Sequence, residues 1–120
     1  MSSHPPYLWM HVRRVGEAAV VKFTLQRLVK EGTIESIGEQ LYDLVDAHHF
    51  YQIVVDFSNV ERLTSAMTAK LIVLHRKAQA AGGRLVLCGI DPGLHETFET
   101  LKLTKLFHIC GQEQEALQSL

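Results

Sequence analysis

The chain has only two cysteines, Cys88 and Cys110, and they form neither a CxxC pair nor a disulfide framework. A disulfide-stapled secreted fold is therefore excluded. Both residues read as small buried hydrophobes, Cys88 in an expected strand and Cys110 near the end of another. Net charge of one sign is also missing. Twelve Lys and Arg against thirteen Asp and Glu leave −1, which gives no bulk attraction for nucleic acid or an anionic membrane. No apolar run approaches the length of a membrane span. Met1-Ser2-Ser3-His4-Pro5-Pro6-Tyr7 lacks the basic region and apolar core of a secretion signal. The resulting expectation is a cytoplasmic protein with no direct nucleic-acid partner and no membrane association.

Phosphate-cradling and catalytic motifs are absent too. No GxGxxG follows the first strand, no GxxxxGK[ST] occurs, and Gly82-Gly83 ends a helix where a phosphate cradle would begin one. The seven histidines are scattered, and only His95 with Glu99 forms an i,i+4 pair, whereas a metal site needs three or four convergent ligands. His48-His49 reads as a solvated helix end, since adjacent residues do not share a helical face. Ser65, His75 and Asp56 are the residue types of a hydrolase triad, yet nothing resembles a GxSxG elbow. No catalytic residue, metal or cofactor is assigned, and the chain reads as a non-enzyme.

What is present is a core. At 120 residues with 47% apolar content the chain suits one domain. Leu8 to Arg14 alternates, Val15-Gly16-Glu17 interrupts, and Ala19 to Phe23 resumes, which predicts a β-hairpin. Thr24 to Gly32 lacks periodicity and reads as loop. Thr33 is the expected cap of a helix carrying Ile34, Ile37, Leu41, Leu44 and Val45 to about Ala47. Ile53-Val54-Val55 is a short β-branched run of the kind covered on both faces. A helix follows from about Ser65 to Ala81, closed by Gly82-Gly83, and then a buried strand over Arg84 to Gly89. Asp91-Pro92 starts a short helix with Leu94, Phe98 and Leu101. Leu106 to Ile109 is a last strand, and Gln112 to Leu120 a last helix. The fold class is mixed α/β (α+β): one domain over residues 8–120 after a flexible N-terminus at 1–7, with a mixed central sheet, an N-terminal hairpin and about four helices.

The segment from Val54 to Ser65 carries the functional signal. A buried strand ends in a polar loop that delivers Ser65 to a helix start. There its hydroxyl can cap the helix or carry a phosphate favoured by the helix dipole. At 100° per residue, Met67, Leu71, Leu74, Ala78 and Ala81 should pack on the sheet. Ser65, Thr68, Ala69, Ile72 and Arg76 should share the outward face. A small apolar patch with a polar margin is the composition of a docking surface.

These motifs resemble the STAS domain family, the fold of bacterial anti-sigma factor antagonists. The resemblance runs through Val55-Asp56-Phe57-Ser58-Asn59-Val60, Leu63-Thr64-Ser65-Ala66, Ala80-Ala81-Gly82-Gly83-Arg84-Leu85-Val86-Leu87, Ile90-Asp91-Pro92 and Leu103-Thr104-Lys105-Leu106-Phe107. It implies that the family's regulatory serine is Ser65, phosphorylated by a serine kinase that doubles as the anti-sigma factor and binds the face of Ser65, Thr68, Ala69, Ile72 and Arg76. Thr64 replaces the family's usual aspartate, Met67 stands near the usual glycine, and the loop from Gln26 to Gly32 lacks the Gly-x-Leu-Asp-like turn. Two other expectations therefore stand beside the switch: a constitutive scaffold or sensor-complex subunit of the same fold, and a small ligand-binding domain using that loop.

Overall fold

The computed structural model describes residues 7–120. The expected tail at 1–7 lies outside the described residues except for Tyr7, which is half-buried against the core.

Alternation in the N-terminal segment produces β1 (Met10–Val15) and β2 (Ala18–Phe23), an antiparallel hairpin in which Met10 faces Phe23 and Val15 faces Ala18. Gly16, at φ 61°, supplies the left-handed turn residue. A two-residue strand β3 (Arg27–Leu28) then interrupts the segment expected to be loop. Helix α1 (Glu31–Asp46) begins two residues before Thr33, with Lys30 as an N-cap that makes no side-chain bond. Strand β4 (Gln52–Asp56) and a second two-residue strand, β5 (Arg62–Leu63), lead into α2 (Ser65–Ala80). Strand β6 (Arg84–Cys88), α3 (Pro92–Thr100), β7 (His108–Cys110) and α4 (Glu113–Gln118) complete the chain. Gly82, at φ 83°, ends α2, and the Asp91 carboxylate caps α3 by accepting from the Leu94 N–H at 2.8 Å.

The main sheet runs β1-β2-β4-β6-β7, antiparallel only at the hairpin and parallel elsewhere, while β3 and β5 form a separate parallel ribbon. The sequence-predicted mixed sheet with four helices is the observed architecture. The two ribbon strands add to it. They were invisible to periodicity because two residues cannot alternate long enough to register.

One sheet face, with Ala19, Val21, Ile53, Val55, Leu85 and Leu87, packs on α1 and α2 in the large core. Ring contacts run through that core, with centroid separations of 5.4 Å for Phe23–Phe57, 5.9 Å for Phe57–Phe98 and 6.4 Å for Phe98–Phe107. The opposite face, Val20, Val54, Val86 and Cys88, is covered by Ala116 and Leu117 of α4, with Leu120 after it and Cys110 of β7 packed alongside. No helix among the described residues is long and apolar enough to cross a membrane.

Candidate functional site

The loop between β4 and α2 is tied down from its first residue. The Phe57 N–H donates to the Cys88 carbonyl at 2.9 Å, the Ser58 N–H to Asp56 Oδ1 at 2.8 Å, and Asn59 Nδ2 to the Phe23 carbonyl at 3.0 Å. The N–H groups of Glu61 and Arg62 both donate to the Gln26 carbonyl, and that of Thr64 to the Leu28 carbonyl. The ribbon formed by β3 and β5 thus positions the start of α2, so Ser65 is presented by a braced loop.

Thr64, with extended backbone and no side-chain cap bond, is the N-cap; Ser65 is the first helical residue. The expected capping hydroxyl is thereby corrected to a first-turn position. The first-turn dipole still favours negative charge there. Ser65 is exposed and borders an open depression of about 440 Å³ shared with Gly93, Glu96, Thr97, Thr100 and Leu101 of the α3 region. On the other flank of α2, Ala69 with Thr64 and Ala66 lines a more apolar groove against Val29 and Ile34, bordered by the Lys70–Glu35 ion pair.

The expected outward face is therefore divided. Ser65, Ala69 and Arg76 are exposed, Ile72 is half-buried against the core, and Thr68 is buried at 4% exposure. Thr68 lies at the margin of the buried stripe, and its hydroxyl donates to the Ser65 carbonyl at 2.7 Å. That internal partner makes burial of a polar side chain tolerable. At the far end of the helix, Ala81 is exposed where packing on the sheet was expected.

The triad residues do not form a relay. His75 Nδ1 is buried without a partner, the ring lies edge-on to Phe107, and burial first and Arg76 second push its pKa down. Asp56 instead joins a cluster that sequence reasoning missed. It is 6% exposed, and burial, followed by hydrogen bonding with Glu113, pushes its pKa up. Glu113 moves the other way, held down first by its hydrogen bond with Asp56 and then by Arg13, whose Nη2 donates to Glu113 Oε1 at 2.7 Å. A hundred residues separate Arg13 from Glu113; the one sequence signal was an acidic residue in the first turn of α4. Cys88 and Cys110 are free and face each other in the β6–β7 register, and burial pushes the Cys88 thiol up to about 12. His95 Nδ1 and Glu99 Oε1 lie 2.8 Å apart, and among the described residues no three His, Cys, Asp or Glu converge on a metal site.

Known proteins supply the context for this geometry. The STAS domain family model matches residues 11–116. A curated relative, BtrV of Bordetella bronchiseptica, named as a candidate anti-sigma factor antagonist, is 24% identical over 92 residues, 77% of this chain and 78% of that protein. An anti-sigma-factor antagonist (STAS) domain protein of Planctomyces limnophilus superposes with a TM-score of 0.82 at 20% identity, covering 92% of this chain and 96% of that one. The Bacillus anti-sigma factor antagonist SpoIIAA is similar in two solved forms. The unphosphorylated form gives a TM-score of 0.71 at 17% identity, covering 92% of this chain and 96% of that one. The phosphorylated form gives 0.70 at 18%, covering 92% and 97%. With the family model spanning most of its length, the chain belongs to the STAS domain family.

Proposed function

We propose that this chain is a non-enzymatic, cytoplasmic interaction module of the anti-sigma factor antagonist type. It binds a serine kinase that is also an anti-sigma factor, and it is switched by phosphorylation at Ser65. The observation that carries this reading is an exposed serine hydroxyl in the first turn of a sixteen-residue helix, held by a braced loop beside an open depression. SpoIIAA, named as an anti-sigma factor antagonist, and BtrV, named as a candidate one, support it. That SpoIIAA has been solved in a phosphorylated form supports the switch.

Unphosphorylated, the surface around Ser65, with Ala69, Ile72 and Arg76 along α2, meets the partner; buried Thr68 acts by fixing the first turn through the Ser65 carbonyl. A phosphate adds roughly −2 charge where the Glu96 carboxylate already borders the same depression. The α2 dipole accepts that charge while the partner contact is disrupted. Incubation with the cognate kinase and ATP followed by mass spectrometry is expected to place phosphate on Ser65. Modification elsewhere by an active kinase overturns the reading.

A constitutive scaffold is the second reading, favoured by Thr64, which leaves the N-cap without a side-chain bond and without the acidic residue usual in the family. The two readings separate on Ser65→Asp. The switch predicts at least tenfold weaker partner binding than Ser65→Ala, whereas the scaffold predicts no difference.

A further inference from the structure

The β3/β5 ribbon places two like charges side by side. Arg27 is in register with Arg62 and Leu28 with Leu63, and the leucines are buried while both arginines are exposed on the outward face. Like charges directly opposite each other in a ladder repel. Here no counter-ion relieves them: among the described residues neither arginine, nor nearby Lys30, has an ion-pair partner. Glu61 precedes Arg62 and Glu31 follows Lys30, yet Glu61 is unpaired and Glu31 lines the α1/α2 groove. Residues 1–6 contain no carboxylate side chain. Beside the ribbon lies a hollow of about 300 Å³ walled by Trp9, Leu25 and Val29, with Arg27, Lys30 and Thr33 around it.

We propose that this ribbon and hollow form a second contact site, distinct from the Ser65 surface, for an acidic segment of a partner protein that carries an apolar side chain. Carboxylates of the segment meet Arg27, Arg62 and Lys30, removing the repulsion that the free protein tolerates, and the apolar side chain enters the Trp9–Leu25–Val29 hollow. Charge complementarity selects the occupant, and the volume sets its reach at one side chain. A protein segment fits better than a nucleic acid. The cations are few, Arg27 paired with Arg62 and sharing the hollow with Lys30, the chain carries a net −1, and Trp9 is half-buried against the core instead of open for base stacking. The site deepens the interaction-module reading but does not need Ser65 to be a switch.

Trp9 is the only tryptophan, so its emission reports on the hollow directly. The experiment titrates the full chain with blocked pentapeptides Glu-Asp-Leu-Asp-Glu, Gln-Asn-Leu-Asn-Gln and Lys-Lys-Leu-Lys-Lys, with inorganic phosphate, and with a short oligothymidylate. The acidic peptide is expected to shift Trp9 emission saturably, with affinity falling severalfold as salt is raised through the range where the Debye length drops below about 8 Å. The Arg27→Glu/Arg62→Glu variant should bind the acidic peptide at least tenfold more weakly and gain a response to the lysine peptide. Both sites are exposed, so circular dichroism should be unchanged. Ser65→Ala should keep the full response, which separates this site from the phosphoswitch. Equal shifts with the neutral peptide, saturation by phosphate alone, a stronger response to oligothymidylate, or an unaltered preference in the double variant would each overturn the proposal.

Discussion

Ser65 shows how little separates two roles at a helix start. One position earlier it would be the N-cap, its hydroxyl turned back to the backbone; as the first helical residue it is exposed beside Glu96. Asp56 carries a sharper consequence. Because its folded pKa is raised, the folded state holds the proton more tightly than the unfolded chain, so Asp56 costs stability as pH rises from its unfolded value through its folded one. Glu113 has a lowered pKa, so its contribution is present above its unfolded value and is lost as pH falls through its folded one. Asp56→Asn keeps an oxygen for the Ser58 N–H and offers Glu113 a permanent donor. Its thermal midpoint should therefore exceed the parent's at pH 7.5, and the gap should close as pH falls toward the carboxylate range. A gap independent of pH counts against the carboxyl–carboxylate pair. Gly89, at φ 70°, has no room for a side chain, since a Cβ there would stand 2.3 Å from Asp56 Oδ1. Gly89→Ala should cost about 2 kcal/mol in urea unfolding, the scale of a strained left-handed residue.

Among the elements, α4 has the least holding it. Six residues long, it buries only Ala116 fully and is fastened by Arg13 to Glu113 at one end and by Arg84 Nη1 to the Ser119 carbonyl at the other. With Leu120 and Cys110 beside it, it nevertheless covers Val20, Val54 and Val86. Ala116→Glu should detach it at a cost of about 3 kcal/mol, the scale of an unpaired buried charge. The variant should bind a hydrophobic dye while keeping most of its far-ultraviolet dichroism; a variant that binds no dye shows that α4 is not the main cover. The α1–α2 pairs are different. Lys77 Nζ to Asp46 Oδ2 at 2.8 Å, with side chains 32% and 53% exposed, should yield a coupling below about 1 kcal/mol in a double-mutant cycle. The helices are held by apolar contacts of Ile37, Leu41, Leu44, Leu71 and Leu74.

Across the whole molecule, strands β2, β4 and β6 contribute side chains to both cores, so neither core can be lost without disturbing the other. Unfolding followed by Trp9 fluorescence and by far-ultraviolet dichroism should give coincident urea midpoints, and separated midpoints would mean that the two faces melt independently. The sheet, the four helices, the glycine stop of α2 and the Asp91-Pro92 helix start were legible in sequence because each follows from local rules: alternation, helical spacing, a left-handed glycine, a capping carboxylate. The same rules place Ile53, Val54 and Val55 in a strand buried on both faces. They could not show β3 and β5, which exist only because Gln26 and Leu28 meet Glu61, Arg62 and Thr64 from over thirty residues away. Nor could they show that Thr68 is buried, that the Ser65 surface turns toward α3 while Ala69 turns toward α1, or that Arg27 stands beside Arg62 with no ion-pair partner among the described residues. Sequence alone determined that a serine arrives at the start of a long helix after a buried strand, since periodicity and breakers are local. Only the tertiary structure decided what that serine faces, because burial and neighbouring charge depend on which distant segments the fold brings together.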